Sequence, residues 1–433
     1  METRLAGFIR DSTAGRTADE ILRACVHCGF CLATCPTYQV LGDELDSPRG
    51  RIYQIKQVLE GAEPSRATQI HLDRCLTCRA CETTCPSGVE YGHLVDIGRA
   101  VVDARVRRPW RERLQRWVLR EGLTRPWLFG AALRAARCMP WALPMRLRAK
   151  VGVKQPAGAW PARQHARKVL LLKGCTQPAI SPAIDAATAR VLDAIGVQTV
   201  VAARAGCCGA LRHHLDDQAG ARGEIYRNID AWWPYIESGE VEAILINASG
   251  CGAMVREYAH ILRDDPAYSG KARRVVQMSK DPAEFLPSEL GKLGTLLESA
   301  AVPARPEPVQ AGLPAAGSTS APHRVAFHPP CTLQHGLKIR GAVEKLLVAL
   351  GAELVPVADA HLCCGSAGPY SLVQPQMAET LRGRKLDTLL QHGPDMVLSA
   401  NIGCIAHLQG ATDIPVRHWI EWVDQRFAPT WPS

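Results

Sequence analysis

The feature that most constrains this chain occurs twice. Residues 25–36 read CVHCGFCLATCP and residues 75–86 read CLTCRACETTCP, each holding four cysteines at C-x2-C-x2-C-x3-C followed at once by proline. Thiolates suit soft metals, and four of them around iron and bridging sulfide form the usual iron–sulfur holder. The x2 spacings let three thiols from one turn of chain face a single cluster, while the x3 spacing and the proline throw the fourth aside. In two-cluster ferredoxins that fourth cysteine ligates the other cluster. The expected ligand sets are therefore Cys25, Cys28, Cys31 and Cys85 for one 4Fe–4S cluster, and Cys75, Cys78, Cys81 and Cys35 for the second. Zinc is the competing reading of C-x2-C, but a tetrahedral site needs two such pairs, without a third cysteine at x2 or a trailing Cys-Pro.

The other cysteines bring composition into the argument. The chain has 17 in 433 residues, an odd number that includes two CC doublets, and its first residues, METRLAGFIRDSTAG, contain no apolar run. That pattern speaks for metal ligation in a reducing compartment rather than for a secreted disulfide framework, so a cytoplasmic location is expected. The most apolar long stretch, WLFGAALRAARCMPWAL, is interrupted by Arg134 and Arg137, which argues against a transmembrane helix.

Five regions are expected. Residues 1–98 hold the paired motifs, with helical spacing of apolar residues in RTADEILRAC and GRIYQIKQVLEGA. Residues 99–167 form a basic connector of short helices cut by Pro109, Pro126, Pro140 and Pro144. The net charge of +9 is very uneven: residues 99–168 carry 18 Lys and Arg against Asp103, Glu112 and Glu121, together with five of the ten tryptophans. Trp110, Leu114 and Trp117 share one helix face, with Arg111, Arg113, Arg116 and Arg120 mostly around them. Such a segment either packs between domains or meets an anionic surface, a lipid headgroup layer or a partner. Residues 168–298 and 323–433 are read as two α/β domains, joined by a Pro-rich flexible linker at 299–322.

Those last two domains are a repeat. KVLLLKGC ends at Cys175 and RVAFHPPC at Cys331, and the GCCG and LCCG doublets begin 32 positions later, at Cys207 and Cys363. EAILINASGC and DMVLSANIGC then deliver Cys251 and Cys404. Ligands at the carboxyl ends of strands in an α/β unit converge on one crevice. Cys175, Cys207, Cys208 and Cys251 are thus expected to meet, as are Cys331, Cys363, Cys364 and Cys404. Glycines 209 and 365 allow the tight turn that aims each doublet. His213, His214, His328, His335 and His361 lie near these motifs and are read as packing or surface residues. Arg49 and Arg51 in SPRGR are read as anchoring the chain beside the clusters, whose negative charge favours nearby cations.

The forty-residue gap between Cys35 and Cys75 resembles the α-helical ferredoxin domain of succinate dehydrogenase and fumarate reductase iron–sulfur subunits. The later cysteines resemble the cysteine-rich CCG domain found in heterodisulfide reductases, anaerobic glycerol-3-phosphate dehydrogenases and lactate-utilisation proteins. That family's pattern closes on C-x-x-C, but here Ala248 and Asn401 stand where the first cysteine of the pair would fall. The four thiols left in each repeat would suffice for a cubane or zinc, or for a site that is now structural. With SPRGRIYQIKQ at 47–57, the whole order of motifs resembles the iron–sulfur subunits of bacterial glycolate oxidases. That resemblance implies an α-helical ferredoxin domain followed by two CCG domains, and an oxidoreductase complex whose partner flavoprotein subunits oxidise the hydroxy acid. This chain would carry the electrons onward to a quinone, as a peripheral protein on the cytoplasmic face of the inner membrane. No G-x-G-x-x-G follows an expected strand and no Walker A motif occurs, so flavin is expected on the partner only; nucleic acid is not an expected ligand. The competing expectations are a disulfide or heterodisulfide reductase, or the equivalent subunit of a D-lactate or glycerol-3-phosphate dehydrogenase.

Overall fold

The computed structural model describes residues 1–139, 141, 156–300 and 324–427. Its N-terminal unit is helical. Helices Thr13–Ala24, Pro48–Leu59 and Arg66–Asp73 begin where the sequence offers caps: Ser12 accepts from Gly15 N, Ser47 from Gly50 N, and Ser65 forms a capping box with Thr68, and a fourth helix, Tyr91–Arg105, packs with them. Their apolar faces (Ile21, Leu22, Ile55, Leu59, Leu72, Leu94, Val95) close into one core that also buries part of the cysteine loops. The expected boundary at residue 98 falls inside the helix Tyr91–Arg105, which packs along Pro48–Leu59 at Gly98 and Ile55. The helical unit therefore continues to Arg105.

The connector supplies helices Trp110–Thr124 and Pro126–Cys138, with Pro109 and Pro126 at their starts as expected. Pro140 and Pro144 lie outside the described residues. The connector packs between domains, one of the two things that its sequence allowed. Arg108 and Arg116 are buried in ion pairs with Asp73 of the helical unit and Asp216 of the first repeat. Trp110, Leu114, Trp117 and Val118 face outward and are exposed. Arg116 is thus not part of the outer basic face.

The repeats are α/β units with all-parallel sheets. β1 (Arg167–Leu171), β2 (Val197–Val200), β3 (Ala243–Leu245) and β4 (Ser279–Lys280) lie in the order β2-β1-β3-β4. β5 (Arg324–His328), β6 (Glu353–Leu354), β7 (Met396–Ser399) and β8 (Val416–His418) repeat this as β6-β5-β7-β8. Val169 pairs with Thr199 and Ala243; Val325 pairs with Leu354 and Met396. Parallel neighbours require crossovers, which the helices Ala183–Ala194, Gln218–Glu237, Ala342–Ala349 and Pro375–Leu390 provide. The central strands are buried on both faces and read as unbroken apolar runs for that reason. The chain reverses direction across the sheet between β1 and β3, and between β5 and β7, so a crevice opens at their carboxyl ends. One apolar core runs through both repeats, from Val169 and Leu192 to Leu398, Trp419 and Phe427, and Arg190 pairs with Asp424 across it. Helix Leu290–Ala300 takes in the first two residues of the expected linker; the rest, 301–322, lies outside the described residues.

Candidate iron–sulfur and metal sites

The two ferredoxin motifs fold around two adjacent pockets. One is lined by Cys25, Cys28, Cys31 and Cys85 with Ile52, Pro86 and Val89; Cys81 also reaches its wall. The other is lined by Cys35, Cys75, Cys78 and Cys81 with Leu76, Arg51 and Tyr91. Each pocket takes three thiols from one motif and a fourth from the other, a donor set that fits one 4Fe–4S cluster per pocket. The tight loops depend on left-handed backbone at His27 and Gly29, and at the matching Thr77 and Arg79. Three of these are not glycine, a strain of about 1–3 kcal/mol each that persists where the surroundings demand it.

The pockets differ in exposure and charge. Cys28, Val26 and Phe30 open the first to solvent. In the second, Tyr91 Oη and Thr77 N donate to Cys75 Sγ at 3.6 and 3.4 Å, and Cys35 Sγ meets Thr37 Oγ1 at 3.2 Å. Hydrogen bonds of this kind set the potential of a bound cluster. Arg51, 1% exposed, donates to Asp46, Thr37 and the carbonyl of His71, while Arg99 donates to the carbonyls of Leu72 and Cys75. Burial pushes the thiols up, Cys31 to about 11 and Cys78 and Cys81 well above the ordinary cysteine range. They become thiolates only with a metal's positive charge beside them.

In the repeats the structure brings both expected sets of four together. Cys175, Cys207, Cys208 and Cys251 form a chain of thiol contacts, as do Cys331, Cys363, Cys364 and Cys404. Cys331 Sγ lies 3.8 Å from Cys363 Sγ. Cys251 and Cys404 sit in the first turns of helices Ser249–Arg256 and Ile402–Gln409, which begin just after β3 and β7. Gly365 has φ +87°, and a Cβ there would stand 2.7 Å from Ala378 O, so only glycine carries the doublet into its helix. Where the family pattern has a further cysteine, Ala248 is buried and Asn401 directs Nδ2 to Cys404 Sγ at 3.6 Å.

The histidines divide. His213 pairs with Asp96 at 3.0 Å, and His335 bonds Thr83 at 2.8 Å and the carbonyl of His361 at 2.9 Å, so these two tie the domains together. His328 departs from the packing-or-surface reading. It is 1% exposed, its ring lies with Cys364 and Cys404 in a group whose donor atoms are all within 4.8 Å of one another, and neither ring nitrogen has a hydrogen-bond partner. A comparison of the two repeats could have found it, because RVAFHPPC has histidine where KVLLLKGC has Leu172.

Paired four-thiol pockets on a helical frame, followed by two cysteine-bearing parallel sheets, define an electron-transferring iron–sulfur protein. Residues 21–89 match the 4Fe-4S dicluster domain family, and residues 169–256 and 325–409 each match the cysteine-rich domain family. The chain belongs to the glycolate oxidase iron–sulfur subunit family. It is 50% identical to the glycolate oxidase iron-sulfur subunit of Escherichia coli K12 over 98% of this chain and 99% of that protein. It is 29% identical to the probable glycolate oxidase iron-sulfur subunit of Bacillus subtilis, over 89% and 88% respectively. The lactate utilization protein A of Bacillus subtilis is similar at 22% identity over 60% of this chain and all of that protein. Among the described residues no helix is long and apolar enough to cross a membrane.

Proposed function

We propose that this chain is the electron-transfer subunit of a flavin-dependent glycolate dehydrogenase, taking electrons from partner flavoprotein subunits and delivering them to a quinone at the cytoplasmic face of the inner membrane. The observation that carries the reading is the pair of adjacent four-thiol pockets, one with the exposed Cys28 at its mouth and one whose Leu76 and Cys78 pack against the second repeat. Cys25, Cys28, Cys31 and Cys85 would hold one 4Fe–4S cluster, and Cys35, Cys75, Cys78 and Cys81 the other. Such clusters supply one-electron transfer, which lets a two-electron flavin donor be emptied in single steps. The exposed Val26 and Phe30 beside Cys28 suit contact with the flavoprotein.

A cavity of about 320 Å³ supports the acceptor half of the reading. It lies between the helical unit and the first repeat, and Cys78, Ile97, Val101, Met254 and Ile261 line it. The same wall carries His93 on Glu257 at 2.8 Å and His213 on Asp96 at 3.0 Å. A cavity that sets apolar side chains beside carboxylate-paired imidazoles and the cations Arg79, Arg222 and Arg263 suits a quinone, which takes up two protons with its two electrons. The outward Trp110, Leu114 and Trp117, together with the exposed Arg111 and Arg113, suit an anionic headgroup layer.

The test is anaerobic addition of glycolate, D-lactate or glycerol 3-phosphate to the purified complex, with the clusters followed by EPR. Glycolate should reduce them, and the chain stripped of its partners should neither oxidise glycolate nor reduce a dye. Dye reduction by the single chain would overturn the assignment of substrate chemistry to the partner.

A further inference from the structure

We infer that the second repeat holds a single soft metal ion of the zinc class, ligated by His328, Cys364, Cys404 and one thiol of the Cys331–Cys363 pair, and that the first repeat does not. The site is independent of the electron-transfer reading and can stand or fall without it.

The geometry comes first. A tetrahedral ion bound at about 2.3 Å from each sulfur holds its thiolates about 3.8 Å apart, with an imidazole nitrogen slightly nearer. The donors of His328, Cys364 and Cys404 all fall within 4.8 Å of one another, and Cys363, in thiol contact with both Cys364 and Cys331, brings the fourth thiol alongside. A cubane places each ligand on a different iron and spreads its thiolates further. In the second ferredoxin pocket the sulfurs of Cys35 and Cys75 instead bond to Thr37, Thr77 and Tyr91.

The imidazole is the independent observation. Buried polar groups nearly always have partners, and one without a partner calls for an explanation. His328 is 1% exposed with both ring nitrogens unpaired, yet it stands at the carboxyl end of β5, beside the thiols. A neutral imidazole nitrogen is a good ligand for zinc, and binding would pair one of those nitrogens. It would also restore a donor on the side where Asn401 replaces the family's cysteine. Lys385, 3% exposed, sets its ammonium on the carbonyl of Asp359 at 2.6 Å, near enough to Cys364 and Cys363 to interact with their charge. It is placed to balance the excess negative charge of a three-thiolate site.

The first repeat differs at both positions. Leu172 replaces the imidazole and belongs to the apolar core. Gly209 and Gly365 contact Ala221 and Ala378 respectively, a register that places Asn228 opposite Lys385. Asn228 is neutral and spends its amide on Cys207 O at 2.8 Å, Tyr258 Oη at 3.1 Å and Gly206 N at 2.8 Å. Tyr258 in turn donates to Cys208 O at 2.9 Å. That doublet is held by ordinary hydrogen bonds, with its polar groups paired.

The experiment uses the full chain, purified anaerobically and assayed for zinc and iron. Wild type should hold about one zinc beside the irons of the ferredoxin unit. His328→Leu, which installs the residue of the first repeat, should lower zinc at least fivefold while iron content and the EPR signals of both reduced clusters stay unchanged. Zinc at wild-type level in His328→Leu would overturn the proposal, as would about twelve irons per chain with no zinc. If His328→Leu is poorly recovered, X-ray absorption at the zinc edge of wild type decides. One nitrogen and three sulfurs support the site; an all-sulfur or oxygen-rich shell overturns it.

Discussion

Cys78 of the ferredoxin unit, partly buried, packs against the apolar cluster that buries Cys331 of the second repeat with Leu76, Cys363, Tyr370 and Met377. They are separated by more than 250 residues of sequence, and their thiols are close enough that Cys331 adds to the effect of burial in pushing Cys78 up. The Tyr370 hydroxyl donates to Arg74 O at 2.9 Å and locks this junction. The second ferredoxin pocket thus abuts the second repeat directly.

The swapped cysteines give the first prediction. Cys35→Ser should remove iron from the pocket built by Cys75, Cys78 and Cys81, although Cys35 belongs to the other motif. Iron should fall from about eight to about four per chain, with the EPR signal of the other cluster retained. Iron analysis and EPR of the reduced full chain check it, and loss of the signal belonging to Cys25, Cys28 and Cys31 alone would contradict it.

Two glycines of the second repeat should respond oppositely to alanine. Gly365→Ala forces a side chain into left-handed backbone and against Ala378 O, and should cost about 2 kcal/mol or more. Gly383, exposed in the helix Pro375–Leu390, has nothing within 4 Å of its would-be Cβ. Gly383→Ala should add about 0.5–1 kcal/mol. Thermal midpoints of the two variants measure the contrast.

Glu257 joins the domains by accepting from Arg79 and from His93 at 2.8 Å. Burial opposes its charge, but His93 and Arg79 overcome that and hold it down at about 2. Burial also lowers His93, and Glu257 more than reverses this, leaving it raised. The carboxylate's contribution is present above the unfolded glutamate pKa, about 4.3, and is lost only as pH falls through about 2. The imidazolium's contribution is full below about 6.5 and fades as pH rises through the raised value. Glu257→Gln should therefore cost on the order of 2 kcal/mol near pH 5.5 and less near pH 9, read as the difference in melting temperature at the two pH values.

The connector arginines should separate by direction. Reversing the exposed Arg111 and Arg113 to glutamate should lower membrane recovery of the complex and its sensitivity to salt, leaving both clusters intact. Arg116→Glu should instead destabilise the fold, because Arg116 bridges Asp73 and Asp216 at 3.1 and 2.8 Å. Flotation with anionic vesicles and melting curves distinguish the two effects.

Much of this was legible from local spacing. A C-x2-C-x2-C-x3-C-P run determines how neighbouring thiols can face one cluster, because the covalent chain sets the reach of each side chain. The repeated strand–cysteine–helix pattern likewise determined two α/β units, since apolar strands buried on both faces leave an unbroken signature. The sequence could not show which way a residue faces once domains pack. Arg111 and Arg116 look alike in the connector, yet one is exposed and the other is closed between two carboxylates. His328 reads like its neighbours until the end of β5 carries it to Cys364 and Cys404, which come from a later loop and a later helix turn. The approach of Cys78 to Cys331 likewise depends on how two separately encoded units dock. Local chemistry fixed the ligands available; only the long-range packing decided which of them share a site.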